Sequence, residues 1–277
     1  MEIIAGIDGS PVARQAAAHA ARLVATVGGE VTLVRILDAA ASEAGAVDVA
    51  RASLEEIAGG LDVPTSTLVA VPQGDEDAAR TLARVALERE AGMLCVATGG
   101  TGIVRRLLGS VTARLLAEAT LPVMVCGPQA TAPRDAAPYR VLVTTDGSPD
   151  AEAVLPDLAR AFPPGVAGSV AFTLLHVYAE ALGDFDHERT IEECEAMLRA
   201  VEQRLPSGIP VDRVVRELTA VGGIDPVIAD TAETASADAI WMATHGHSVG
   251  RQALLGSVAL STLGRAAMPV VLVRAGR

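Results

Sequence analysis

The sequence predicts an α/β protein built from two similar units, each a parallel sheet with helices on both faces. Three observations carry this. Short, near-continuous apolar runs alternate with helical patterns along all 277 residues, as expected of parallel strands buried on both faces. A turn, Asp8-Gly9-Ser10-Pro11, returns as Asp146-Gly147-Ser148-Pro149. A glycine-bearing loop, Ala97-Thr98-Gly99 through Gly109-Ser110, returns as Ala243-Thr244-His245-Gly246 through Gly256-Ser257. The apolar run Leu121-Pro122-Val123-Met124-Val125 likewise returns as Met268-Pro269-Val270-Val271-Leu272.

The elements follow in order. Ile3 to Ile7 is the first strand, and Ser10-Pro11 supplies an N-cap and first-turn proline for a helix over 12–27. Val31 to Leu37 is the second strand. A helix over 43–58 closes at Gly59-Gly60. The third strand covers Thr65 to Val71. A helix over 75–90 carries acidic residues in its first turn, where the dipole favours them. Met93 to Ala97 is the fourth strand, and the glycine loop leads into a helix over 110–119. Val123 to Cys126 is the fifth. Residues 128–138, proline- and alanine-rich without periodicity, form a linker between units at 1–127 and 139–277.

The second unit repeats the scheme. Its strands are expected at 140–145, 169–177, 211–218, 239–243 and 270–273. Its helices are expected over 186–205 and 224–235 and from Ser257 onward. The turns differ in position by 138 residues and the glycine loops by 147, so nine extra residues lie between them, placed around 177–187.

Composition narrows the function. The net charge is −12 and the pI about 4.9, which opposes nucleic acid or an anionic membrane as partner. Aromatics are 2% of the chain, so stacking platforms for single strands are scarce and Ala, Val and Leu must fill the core. All 22 basic residues are Arg, which excludes a Schiff-base lysine and a P-loop lysine. Cys95, Cys126 and Cys194 are scattered and read as buried, reduced thiols. Met1-Glu2 leads straight into a strand with no signal-peptide pattern, and no apolar run approaches membrane-spanning length, so a cytoplasmic location is expected.

Strand, glycine loop and helix N-terminus together suit an oxyanion. Glycines permit close backbone approach, and the first helix amides lack intrahelical acceptors. Gly246 and Gly256 have nine residues between them, as do Gly99 and Gly109. Ser257 and Ser110 are placed to cap the following helices. Ligands on such sheets sit beyond the carboxyl ends of the strands, where Asp8 and the loop would flank one crevice. A turn stabilised by its own aspartate would also explain Asp8 and Asp146. His245 and His247 lack further ligands for a transition metal. Arg105, Arg106 and Arg251 read as a solvated face, and His19, His176 and His187 as isolated. No nucleophile elbow, metalloprotease pair or positioned base appears, and efficient hydrolysis would need one.

These residues together resemble the universal stress protein family over essentially the whole chain. The match lies in D-G-S after the first strand, the G-x2-G-x9-G-[S/T] pattern after the fourth, and the closing P-V-x-V strand. The resemblance implies two doubly wound five-stranded parallel-sheet domains, strand order 3-2-1-4-5, joined as an intramolecular pseudo-dimer through their fifth strands. It implies ATP as ligand, any Mg²⁺ arriving with the nucleotide. Asp146 would meet the adenine side near Val177, the loop from Ala243 would pass the ribose, and Gly246, Gly256 and Ser257 would hold the phosphates. The matching positions in the first unit are Asp8, Ile36, Gly99, Gly109 and Ser110. Ala243 departs from the pattern by replacing its first glycine, which is harmless at negative φ and costly at positive φ. The first loop is one residue short. The expected protein is a stress-response, ligand-dependent interaction module with at most slow ATP hydrolysis, self-associating and acting on an unnamed protein partner. A nucleotide-free scaffold with decayed pockets and a nucleotidyl transferase are the alternatives.

Overall fold

The computed structural model describes residues 1–38, 44–98, 108–179, 190–218, 223–244 and 255–275. The strands are β1 (Glu2–Gly6), β2 (Glu30–Ile36), β3 (Thr65–Ala70), β4 (Met93–Ala97), β5 (Val123–Cys126), β6 (Tyr139–Thr144), β7 (Val170–Ala179), β8 (Val211–Leu218), β9 (Ala239–Ala243) and β10 (Val270–Val273). They form one sheet in the order β3-β2-β1-β4-β5-β10-β9-β6-β7-β8. Each half therefore has the order 3-2-1-4-5. Every described pairing is parallel except β5 with β10, where Val125 faces Val270 and Val123 faces Leu272. The two units thus share one continuous sheet, and each covers an edge strand that would otherwise present unpaired backbone groups.

The helices are α1 (Pro11–Val27), α2 (Ala44–Ala58), α3 (Ala78–Glu88), α4 (Ser110–Glu118), α5 (Leu155–Ala161), α6 (Ile191–Glu202), α7 (Ile224–Thr234) and α8 (Ser257–Arg265). One buried cluster joins Ala17 and Leu23 of α1, Leu54 of α2 and Leu158 of α5 to one sheet face. A second joins Leu82 of α3, Leu115 of α4, Ile228 of α7 and Leu263 of α8 to the other. None of the described helices is long and apolar enough to cross a membrane.

Local chemistry sets the helix starts. Ser10 Oγ accepts from the Ala13 amide at 3.2 Å, with Pro11 in the first turn. Thr190 and Glu193 form a reciprocal capping box on α6. The expected acidic first turn of α3 is corrected: Asp77 is the N-cap itself, accepting from the Arg80 amide at 3.0 Å, and Glu76 lies outside the helix. Glu76 accepts instead from the Gln73 amide and from Arg84.

The second unit departs from the first after β6. The sequence reading placed no helix there. The structure has a 3-10 turn at Ala151–Val154, the seven-residue α5 and a second 3-10 turn at Pro164–Ser169. Pro163 and Pro164 cannot extend a helix. On the sheet face that α1 covers in the first unit, the second unit places four rings. Phe162 lies 5.5 Å from Phe172 edge-on, 5.8 Å from Trp241 and 6.2 Å from Tyr139. Few as they are, the aromatics concentrate here, so the expected aliphatic core is replaced by rings on this one face of the second unit, while its other face stays aliphatic. Strand register also relocates part of the insertion. Equivalent residues differ by 138 at Gly6 and Thr144 but by 141 at Val34 and Leu175. Three of the nine extra residues therefore precede β7, not 177–187.

The segment over 128–138 is held in place from both sides. The Arg22 side chain of α1 donates to the carbonyls of Arg134 and Ala136. Its guanidinium also lies 5.5 Å from the centre of the Tyr139 ring. His19 Nε2 donates to the Thr131 carbonyl at 2.8 Å. Arg134 pairs with Asp238, which also accepts the Arg140 amide at 2.7 Å.

Candidate functional site

Each half of the sheet opens a crevice at the carboxyl edge of its strands. In the second unit Asp146 follows β6, Val177 comes from β7, Met242 and Ala243 end β9, and Gly256 and Ser257 begin α8. Ile224 and Ile228 of α7 close one wall. In the first unit Asp8, Ile36, Ala97, Gly109 and Ser110 meet in the same arrangement, with Leu82 of α3 on the wall. Nine of the eleven positions singled out from the sequence thus line two crevices. Gly99 and Gly246 lie outside the described residues, as do His245, His247, Arg105, Arg106, Arg251 and His187.

The aspartate turn is built identically twice. Asp8 Oδ1 accepts the Ser10 amide at 2.8 Å, and Asp146 Oδ1 accepts the Ser148 amide at 2.9 Å. The structural reading of these aspartates is therefore realised, and it orients each carboxylate at the mouth of its crevice. The glycine between them is required: Gly9 has φ +88° and Gly147 φ +74°.

The loop ends differ from expectation in two ways. Ser110 and Ser257 do not cap their helices. The N-caps are Gly109 and Gly256, and neither helix has a side-chain cap bond. Each serine is instead the first helical residue, and both are exposed. Second, the Gly256 amide is engaged by the Thr244 carbonyl at 2.7 Å. The first intrahelical bond of α8 runs from Leu260 to Gly256. The amides of Ser257, Val258 and Ala259 thus have no acceptor within the helix and meet the crevice at its positive end. In α4 the same holds for Ser110, Val111 and Thr112, since Ala113 makes the first bond, to Gly109.

Ala243 resolves simply. It is the last residue of β9, pairs with Val273, and is not among the described residues with positive φ. Replacing glycine there costs no backbone strain.

The sequence reading missed several wall residues. Ile224 and Ile228 were legible as an i,i+4 pair on the first turns of a helix, but nothing local tied that helix to the loop. The second strand of each unit hides another pair. His176 Nδ1 donates to the Thr145 carbonyl at 2.9 Å, so it is not isolated. Arg35 occupies the equivalent register position beside Ile7. It donates to the Ile7 carbonyl at 3.2 Å.

Chemically, each crevice offers a carboxylate, apolar walls and a helix N-terminus. No group of three metal-ligating side chains occurs among the described residues. All three cysteines are buried, as expected. Burial pushes the Cys95 thiol up to about 12 and Cys126 well above its ordinary value, so these two stay protonated.

Comparison with known proteins adds to this geometry. Residues 1–127 and 139–274 each match the Universal stress protein family. A universal stress protein of Mycobacterium tuberculosis is 30% identical over 200 residues. The match takes in 69% of this chain but only 64% of that relative's length. Among solved structures, a universal stress protein from Archaeoglobus fulgidus superposes with a TM-score of 0.66 at 17% identity. It covers 99% of this chain and 96% of its own. A putative universal stress protein from Pseudomonas aeruginosa gives 0.61 at 17% identity, covering 99% of this chain and 93% of its own.

Proposed function

This chain belongs to the universal stress protein family, and on that premise we propose that it binds adenine nucleotide, ATP foremost, in the crevices of units 1–127 and 139–277. The observation that carries the reading is the repeated meeting of an oriented aspartate with a helix N-terminus across an apolar slot. Apolar walls such as Val177, Ile224 and Met242 suit a purine face. The carboxylates of Asp146 and Asp8 suit its exocyclic amine. Ser257 and Ser110, each first in its helix, offer an amide and a hydroxyl to phosphate. Gly246 and Gly99 belong to the same proposed grip through their loops. Gly256 and Gly109 would act by turning the chain into the helix, and Gly256 not by donating its own amide. Mg²⁺ would come on the phosphates, with waters completing its shell.

The protein would act as a cytoplasmic stress-response module whose interactions depend on nucleotide, with at most slow hydrolysis. Self-association and an unidentified protein partner complete the reading.

Calorimetric titration with ATP and Mg²⁺ tests it. Sub-millimolar binding that is lost in Ser257→Glu/Ser110→Glu supports the proposal. Glutamate at a first helical position is compatible with the helix dipole but repels a polyanion. Absence of heat from folded wild-type protein overturns it. Denaturing mass spectrometry of freshly purified protein would count co-purified nucleotide per chain.

A further inference from the structure

The sheet ends on β8, which among the described residues pairs with β7 alone. The Phe172 amide of β7 donates to the Pro210 carbonyl at 2.9 Å, and Phe172 sits in register with Val211. In a parallel ladder the bonds of a residue go to the two neighbours of its register partner. Asp212, Val214, Arg216 and Leu218 therefore turn their backbone groups toward β7. Val211, Arg213, Val215 and Glu217 turn theirs outward, to an edge that no described strand covers. The side chains follow a pattern of their own. Asp212, Arg213, Arg216 and Glu217 are all exposed. On one face Val214 packs toward the cluster that holds Ile228, with Asp212 and Arg216 two residues to either side. On the other face Val215 packs toward the cluster that holds Leu198, with Arg213 and Glu217 two residues to either side. Arg213 is paired with Glu202 of α6, whereas Asp212, Arg216 and Glu217 have no ion partner among the described residues.

We infer that β8 is the surface through which a second copy of this chain associates, the two β8 strands lying antiparallel about a two-fold axis at Val214. This gives a surface to the self-association proposed above and does not depend on nucleotide. In that register Arg213 meets the partner's Val215, and Val211 meets the partner's Glu217. All four are outward-turned residues, as an antiparallel pair that exchanges both main-chain bonds requires. At the intervening pairs, where side chains approach more closely, Asp212 meets the partner's Arg216 and Arg216 meets the partner's Asp212. Glu217 lies diagonal to the partner's Arg213. A slide of two residues would instead oppose Arg213 and Glu217, but Arg213 is already engaged by Glu202. Charges on an edge strand commonly resist pairing, most simply when they share a sign. β8 carries two of each sign, spaced so that antiparallel copies match. At the other end of the sheet, β3 has no charged residue between Pro64 and Pro72 and offers no such code.

Sedimentation of the full chain over a concentration series tests this, with circular dichroism as the check on folding. The wild type should form a concentration-dependent dimer, weak because a single strand pair lies at the small end of interfaces. Asp212→Arg sets arginine against the partner's Arg216 at both symmetric positions. Arg216→Asp sets aspartate against the partner's Asp212. Each should raise the dimer dissociation constant about tenfold or more, since two cross-strand pairs turn from attraction to repulsion. An equimolar mixture of the two variants should recover wild-type association, and so should the chain carrying both substitutions. A general loss of structure would not be rescued in this way. Glu217→Pro deletes an outward amide and no bond to β7, so it too should weaken the dimer. Single variants that associate like the wild type overturn the inference and leave self-association to another surface. Single variants that dissociate, with no recovery in the mixture, overturn it as well. A wild-type chain that stays monomeric overturns both this surface and the self-association reading. Should either single variant fail to fold, Glu217→Pro decides, and unchanged association in it refutes the assignment. Nucleotide titration of the same proteins stands or falls separately.

Discussion

The amide of Gly256 donates to the carbonyl of Thr244 across 2.7 Å, closing the base of the second glycine loop. Gly256 is thereby fixed as the N-cap of α8, at φ −63° and ψ 152°. The donors left for an anion begin one residue later, at Ser257.

Ser257→Pro follows from that arrangement. Proline is favoured at the first helical position, and the extended conformation of Gly256 suits a residue before proline. The substitution deletes one amide donor and the hydroxyl without disturbing the helix. ATP affinity at this crevice should fall about tenfold or more, the loss typical of one bond to a charged group. The unfolding temperature should be unchanged within about 2 °C. Calorimetry paired with thermal denaturation checks both.

Gly147→Ala should destabilise the fold by roughly 1–2 kcal/mol, because its φ of +74° is unfavourable for a residue with a Cβ. Binding at the second crevice should weaken along with it, since Asp146 is oriented by the same turn. Denaturant unfolding gives the first quantity and nucleotide titration the second.

Gly127→Ala probes the junction between the units. A Cβ there would stand 2.1 Å from the carbonyl oxygen of Leu263, a backbone atom of α8. The clash cannot be relieved by a rotamer change, so a loss of about 3 kcal/mol or more is expected. Proteolysis within 128–138 should accelerate as the β5–β10 pairing loosens. Unchanged stability would show that the two halves do not depend on this contact.

Acid stability should carry a signature of His19. Burial is the main cause lowering its pKa below 6.5, and the bond to the Thr131 carbonyl opposes it. In the unfolded chain the ring protonates near 6.5, while in the folded protein it resists the proton. The folded state is therefore unpenalised above about pH 6.5 and loses stability as pH falls below it toward the folded-state pKa. Glu76 and Asp77, whose pKa values are lowered chiefly by backbone hydrogen bonds, add a separate loss below pH 4.5 and 3.8. His19→Gln should flatten the part of the unfolding profile just below pH 6.5 and leave the more acidic part intact.

Much of the site was legible in advance because its residues sit at ends of elements. Asp8, Asp146, Ser110 and Ser257 are marked by turn and helix-start chemistry, and repetition singled them out. Which group does what was less legible. Whether Ser257 caps α8 or begins it depends on backbone torsions at Gly256, and both give the same letters. The pairing of Arg35 with His176 across the units was hidden because the residues around them differ. Only strand register shows that they occupy one place.

The sequence alone determined the α/β class, the duplicated turn and loop, the strands as apolar runs and the absence of lysine chemistry. These are consequences of local periodicity, turn geometry and composition, each encoded within a few residues. Tertiary structure alone decided that β5 and β10 merge two sheets into one and that a short α5 shares its face with four aromatic rings. It also decided that the Gly256 amide is engaged by the Thr244 carbonyl, and that one unit places a guanidinium at the strand register where the other places a hydrogen-bonded histidine. Each of these is a contact that only folding completes, and it depends on hydrogen bonds and packing that no stretch of neighbouring residues specifies.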